Sequence, residues 1–271
     1  MQKIILISDT HITKPGVDII GLDPEVRLQT VLSDIAAHHG DADHLIFMGD
    51  LVHYGSRVEY RRFQSALDGI ALPITCLPGN HDRRAGFSTI FGQDFGPRVI
   101  DFPHNRLICL DTLDETAPDK HSGYVSDDQG AWALDQINHS PKRCIVLGHH
   151  PLGPVGFDGM DAIALRNGRA VATALRDTGK VDLYIAGHVH RTVSGAIYGL
   201  PFALITSPCH QMPMVMGPGS SALSVDEPGG YGVLLSSSTG AVLHDVRVGV
   251  PRGTVLHDAA SDTGPNVEGN T

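Results

Sequence analysis

The chain has 271 residues, 41% of them hydrophobic and 18% charged, with a formal net charge of -10. That length and composition suit one large α/β core, or one with a small appendage. The acidic balance argues against a nucleic-acid surface, which needs clustered Lys and Arg, and no apolar run is long enough to span a bilayer.

The chain opens on an apolar run, Lys3-Ile4-Ile5-Leu6-Ile7, with no leader-like segment ahead of it, so no signal peptide is expected. A continuous apolar run of this length predicts a strand buried on both faces. It ends at Ser8-Asp9-Thr10-His11. A helix is predicted from Asp23-Pro24, with Asp23 as N-cap and Pro24 at the first helical position. Val26, Thr30, Val31, Leu32, Ile35 and Ala36 form its apolar face. The next strand, residues 44–48, ends at Gly49-Asp50. Ser56 can cap a helix carrying Val58, Tyr60, Phe63, Ala66 and Leu67. A third strand, residues 73–77, ends in Pro78-Gly79-Asn80-His81-Asp82. This β-α-β-α-β order, with polar residues after every strand, predicts a parallel sheet whose site lies along one edge.

Phe87, Ile90 and Phe91 fit a short helix. Residues 98–102 and 106–110 read as an antiparallel pair around Pro103-His104-Asn105. Asp127 is the expected cap of a helix reaching Ile137, with Trp132 on its core side. Residues 143–147 form a strand ending at Gly148-His149-His150-Pro151. A helix is expected from about Asp161 to Thr178. The strand 182–186 ends at Gly187-His188-Val189-His190. Beyond it, 192–197, 201–206, 231–236 and 242–248 all read as strands. The change from alternating α and β to mainly β predicts a second sheet packed on the first. Residues 1–250 are read as one domain. Within it, 198–230 is the expected pocket wall, lid or dimer contact; 208–230 also fits an ordinary long loop. The polar tail, 251–271, is expected to be disordered.

Five apolar runs thus end in loops of metal-ligand type. On an extended segment, Asp9 and His11 project to the same side and can share a metal, as can His188 and His190. The candidate ligands are Asp9, His11, Asp50, Asn80, His149, His188 and His190. Seven are too many for one ion and suit two ions sharing a carboxylate. Carboxylate, imidazole and amide oxygen fit Mn, Fe, Zn or Co, and the absence of thiolate argues against a Cys-rich structural zinc site. Singly, a Gly-Asp after a strand is usually a turn and a lone His a satisfied core residue. Five such loops in one chain outweigh that reading. His150 is expected to point away from the ligand direction of His149. Asp82 is expected to orient a ligand by a hydrogen bond. His38, His39, His139 and His257 read as solvated. Cys76, Cys109, Cys144 and Cys209 show no pairing pattern and read as reduced core residues, which points to a cytoplasmic protein.

Taken together, Asp9-x-His11, Gly49-Asp50, Gly79-Asn80-His81-Asp82, Gly148-His149-His150-Pro151 and Gly187-His188-x-His190 resemble the calcineurin-like metallophosphoesterase superfamily, in that family's order. The resemblance implies a four-layer α-β-β-α sandwich of two mixed sheets flanked by helices. It also implies roles. Asp9, His11 and His190 would hold a first metal, and Asn80, His149 and His188 a second, with Asp50 bridging both. His81 would lie outside the metals and act on the phosphate or its leaving group. Two ions ~3.5–4 Å apart can lower the pKa of a bridging water for in-line attack at phosphorus. His81 would protonate the departing alkoxide or stabilise the transition state as a cation.

The segment Gly49-Asp50-Leu51-Val52-His53-Tyr54-Gly55 lacks the arginine of the protein-phosphatase branch. It has Leu51 or Val52 where the purple phosphatases carry a Tyr ligand. Few Lys and Arg disfavour a nuclease. The Ser8-Asp9-Thr10-His11 opening, the His149-His150-Pro151 segment and Ser207-Pro208-Cys209-His210-Gln211-Met212-Pro213 resemble the bacterial class III cyclic-nucleotide and glycerophosphodiester phosphodiesterases. The implied substrates are small phosphodiesters, either cyclic nucleotides such as cAMP or glycerophosphodiesters. Asn80, His81, His53 and His210 are the expected substrate contacts. A homodimer or higher homo-oligomer is expected, with no nucleic-acid polymer and no membrane as partner. A metal-dependent phosphomonoesterase and a non-catalytic scaffold of the same fold are the alternatives.

Overall fold

The computed structural model describes residues 1–217 and 223–250. The elements run β1 (Gln2–Ile7), α1 (Pro24–His39), β2 (His44–Met48), α2 (Arg57–Ala66), β3 (Ile74–Leu77) and α3 (Arg84–Phe91). Then come β4 (Arg98–Asp101), β5 (Asn105–Cys109), α4 (Asp127–Asn138), β6 (Arg143–Leu147), α5 (Asp158–Asp161), α6 (Gly168–Asp177) and β7 (Val181–Ala186). Four strands close the described chain: β8 (Val193–Ile197), β9 (Leu200–Leu204), β10 (Gly230–Ser237) and β11 (Gly240–Arg247).

Two mixed sheets result. The first has the order β11-β10-β1-β2-β3 and the second β4-β5-β6-β7-β9-β8. β1, β2 and β3 are parallel to one another, as are β5, β6, β7 and β9; β10, β11, β4 and β8 run antiparallel to their neighbours. The alternation of side chains along a strand divides each apolar run between two cores. Ile5, Ile7, Leu45 and Phe47 face α1, α2 and α3, while Cys144, Val146, Tyr184 and Ala186 face α4 and α6. The intervening residues, among them Ile4, Leu6, Ile46, Met48, Ile145, Leu147 and Ile185, meet between the sheets. The fold is therefore the expected helix-sheet-sheet-helix sandwich.

The helix starts follow from local chemistry. Asp23 accepts from the Glu25 amide, with Pro24 at the start of α1. Ser56 and Glu59 form a reciprocal capping box at α2, an arrangement in which the Ser side chain alone contributes about 1 kcal/mol. Two boundaries differ from expectation. The cap of α4 is Ser126 rather than Asp127, its hydroxyl accepting from the Gln129 amide at 3.2 Å. The single helix expected from Asp161 to Thr178 is α5 and α6, separated by residues 162–167. In that gap Leu165 donates to the Pro151 carbonyl and Arg166 to the Gly123 carbonyl, so these two amides bond neighbouring loops and do not continue a helix.

Three smaller readings are also settled. All four cysteines are buried and free. Trp132 is half-buried and packs on the second helical core. His39 is half-buried rather than solvated, its ring edge-on to Tyr231. No helix among the described residues is long and apolar enough to cross a membrane. The expected disordered tail, 251–271, and residues 218–222 of the expected lid lie outside the described residues.

Candidate active site

Parallel strands deliver their C-terminal ends to one edge. Here both sheets do so side by side: Asp9 and His11 follow β1, Asp50 follows β2, Asn80 and His81 follow β3, His149 follows β6, and His188 and His190 follow β7. All seven candidate ligands are buried.

The loops reach inward by left-handed backbone rather than by extension. Asp9, His11, Asp50, His188 and His190 all have positive φ, between 47° and 68°. Asp9 and His11 do fall in one group, but through these turns and not through an extended segment, whereas His188 and His190 part into different groups. Such conformations cost roughly 1–2 kcal/mol per non-glycine residue and cluster where surrounding structure enforces them for function. Close approach makes two glycines obligatory. A Cβ on Gly79 would fall on the Asp50 carboxylate, and one on Gly187 would overlap the Ser8 hydroxyl and sit 2.6 Å from Asp9 Oδ2.

Two groups of ligand atoms form around Asp50. In one, His190 Nε2 lies 3.3 Å from Asp9 Oδ1 and 2.9 Å from His11 Nε2. In the other, His149 Nε2 lies 3.2 Å from Asn80 Oδ1, and the ring of His188 lies edge-on with its centroid 5.2 Å away. Asp50 Oδ2 stands between them, 3.6 Å from His11 Nε2 and 3.3 Å from His149 Nε2.

The protonation pattern suits cations. His149 Nδ1 donates to the Met48 carbonyl at 2.9 Å and His190 Nδ1 to the His210 carbonyl at 3.0 Å. In the neutral rings each Nε2 therefore turns a lone pair inward, where carboxylate and amide oxygens also converge. His188 Nε2 is buried and has no hydrogen-bond partner among the described residues. Buried acceptors facing one another need a cation between them, either a proton or a metal. The residues present fit two divalent ions.

The charges follow. Burial pushes His11 and His188 well below the usual imidazole range, and neighbouring histidines add to that. For His149 burial also opposes the charged form, but the Asp50 carboxylate overcomes it and carries the pKa up to about 9. Burial would raise Asp50, yet the His149 and His81 charges hold it well below the usual carboxylate range.

His81 donates from Nδ1 to the His53 carbonyl at 2.8 Å, and its backbone amide donates to Asp50 Oδ1 at 2.8 Å. Its free nitrogen is Nε2. His53 stacks on His81 and reaches His11, with Nδ1 atoms 3.2 Å apart. Burial and the His81 charge bring the His53 pKa down to about 4. His210 packs on His190 with ring centroids 4.4 Å apart. All three line a cavity of about 520 Å³, with Met160, Ile163, Met212 and Leu223 as an apolar wall.

Asp82 departs from expectation. It orients backbone rather than a ligand side chain, accepting from the amides of Leu51 and Gly79 and from the Tyr60 hydroxyl. His150 is buried beside the site, but both its nitrogens are engaged, by the Thr112 hydroxyl and the His121 carbonyl. His121 was not legible as a site residue. It lines the cavity and meets Asn80 Nδ2 at 3.0 Å, and nothing in the polar stretch Asp119-Lys120-His121-Ser122 marks it in sequence.

A family model for calcineurin-like phosphoesterases matches residues 2–192. A probable cyclic nucleotide phosphodiesterase of Rhodopseudomonas palustris is 32% identical over 219 residues, which cover 78% of this chain and 80% of that protein. A probable glycerophosphodiester phosphodiesterase of Arcobacter nitrofigilis is 28% identical over 237 residues, covering 83% and 85%. A solved dimetal phosphatase from Danio rerio shares the fold, with a TM-score of 0.66 at 15% identity over 91% of this chain and 96% of that one. Layered fold, ligand-type site and sequence match agree: this chain belongs to the calcineurin-like phosphoesterase family.

Proposed function

We propose that the chain is a dinuclear metal-dependent phosphodiesterase acting on small diesters, 3',5'-cyclic nucleotides ahead of glycerophosphodiesters. One observation carries this reading. Two ligand groups meet at Asp50 on the floor of a cavity whose described lining contains neither Lys nor Arg. A diester carries one negative charge, whereas a monoester dianion needs further cationic contacts that this lining lacks. The relatives named for cyclic nucleotides and glycerophosphodiesters support the same class. The apolar wall of Met160, Ile163, Met212 and Leu223 favours a nucleobase over a glycerol or choline group.

In this reading Asp9, His11 and His190 hold one ion, Asn80, His149 and His188 the other, and Asp50 serves both. When bound, the pair of ions (Mn, Fe, Zn or Co) lowers the pKa of water and neutralises charge on the phosphate oxygens. His81, fixed through Nδ1 by the His53 carbonyl, presents Nε2 to the substrate. As an imidazolium it protonates the departing alkoxide. His53 and His210 form the rim that orients the ester.

The test compares cAMP, glycerophosphocholine and AMP as substrates of Mn²⁺-loaded protein. The expected order in kcat/KM is cAMP, then glycerophosphocholine, with AMP inert. Release of phosphate from AMP in preference to opening of cAMP would replace this reading with a phosphomonoesterase.

A further inference from the structure

A chain of hydrogen bonds outside the ligand set ends on the Asn80 amide. Its directions can be deduced. His150 Nε2 lies 2.9 Å from the His121 carbonyl, and a carbonyl only accepts, so Nε2 carries the proton. His150 Nδ1 therefore accepts from the Thr112 hydroxyl at 2.7 Å. Next, His121 Nδ1 lies 3.0 Å from Asn80 Nδ2. An amide nitrogen only donates, so His121 accepts. With its nitrogen engaged there, the amide directs Oδ1 at the ligand group, 3.2 Å from His149 Nε2.

The orientation matters because the two ends of an amide have nearly the same shape and opposite chemistry. A flipped Asn80 would point N–H groups at a cation position. The supporting loop is itself fixed. Asp119 accepts from the amides of His121 and Ser122 at 2.8 and 2.7 Å. The Tyr184 hydroxyl donates to the His150 carbonyl at 2.7 Å. Gly123 lies flat on the His150 ring, where a Cβ would come within 2.6 Å of Cγ.

We propose that His121 and His150 are positioning residues that hold the Asn80 amide with its oxygen toward the ion shared by His149 and His188, so that the 112–123 loop sets the affinity of that ion. This rests on the dinuclear reading above. It also gives His150 a task, since no lone pair of that ring is left for an ion.

The experiment titrates Mn²⁺ into chelator-treated full-length protein by calorimetry, with electron paramagnetic resonance to count coupled ion pairs. Wild type takes up two ions. His121→Ala weakens one of the two binding events about 10–100-fold and leaves the other unchanged, the usual effect of losing a partner of a metal ligand. His121 is exposed, so this variant is expected to melt like wild type without metal. His150→Ala weakens the same binding event, with a loss of stability because His150 is buried, and His150→Gln, which can still donate to the His121 carbonyl, recovers part of the affinity. Two wild-type affinities in His121→Ala, or equal weakening of both events, would overturn the proposal while leaving the dinuclear site intact. Fewer than two ions in wild type would overturn the dinuclear reading and the proposal with it.

Discussion

Asp82 ties together the two loops that carry Asp50 and Asn80, and its replacement should be costly in a graded way. Its Oδ2 accepts from the Gly79 amide at 2.9 Å and the Leu51 amide at 3.2 Å, and its Oδ1 accepts from the Tyr60 hydroxyl at 2.9 Å. The carboxyl is fully buried; burial raises its pKa to about 7, Asp50 adds to the rise, and the three donors restrain it. Asp82→Ala strands two buried amides. The Tyr60 hydroxyl keeps a 3.3 Å contact with the Arg83 carbonyl and loses less. At about 1–3 kcal/mol per unsatisfied buried group, the expected loss is roughly 2–6 kcal/mol. Asp82→Asn keeps an oxygen for the two amides. Its NH₂ can donate to the Tyr60 hydroxyl, which also serves as an acceptor for the Arg83 amide. That variant should lose only about 1 kcal/mol, one ordinary hydrogen bond. Urea unfolding of the metal-free proteins reads the difference as a shift in midpoint at constant slope. An Ala variant within about 1 kcal/mol of wild type, or an Asn variant as unstable as the Ala variant, would deny Asp82 this tie between the loops.

Other predictions concern the chemistry. His81→Ala should lower turnover by about 10²–10⁴-fold, the range of a lost general acid, while elemental analysis still finds two ions; an emptied site would deny the separation of roles. Gly187→Ala should cost about 1–3 kcal/mol by overpacking and impair metal uptake, because its Cβ overlaps Ser8 and presses on Asp9; wild-type metal content would contradict this. Because the His149 pKa is raised to about 9, the metal-free site holds a proton there at neutral pH. Metal uptake should therefore release protons, and affinity should fall as pH drops below that value. Calorimetry in buffers of different ionisation enthalpy measures the release, and none at pH 7.5 would show that His149 is already neutral.

The candidate ligand loops were legible because each couples two signals, an apolar run of strand length and a polar tag, Gly-led in all but Ser8-Asp9-Thr10-His11. Asp50 alone, or His149 alone, would not have been separable from a turn residue or a core histidine. The change from alternating α and β to mainly β carried the second sheet, while the division of a run, Ile4 and Leu6 against Ile5 and Ile7, shows only in the fold. Other features depend on contacts distant in sequence. His121 reaches Asn80 across 41 residues, and only the closed fold shows it. The break between α5 and α6 arises because Leu165 bonds Pro151, although Asn167-Gly168 was an available sign of it. The left-handed φ of Asp9, His11, Asp50, His188 and His190 is uncommon for any residue but glycine, so the pairing of Asp9 with His11 arises through a geometry the sequence does not mark. Ser126, with Gln129 three residues on, matched a capping signature passed over in favour of Asp127; Gln129 instead spends its side chain on both backbone groups of Asp111.

Hydrolysis of phosphodiesters in the cavity, and only with metal, is what the proposed function requires. It is tested most directly by hydrolysis of bis(p-nitrophenyl) phosphate beside p-nitrophenyl phosphate, on chelator-treated protein and again after addition of Mn²⁺. No turnover is expected without metal and, with it, preference for the diester. Preference for the monoester, or turnover that ignores the metal, would contradict it.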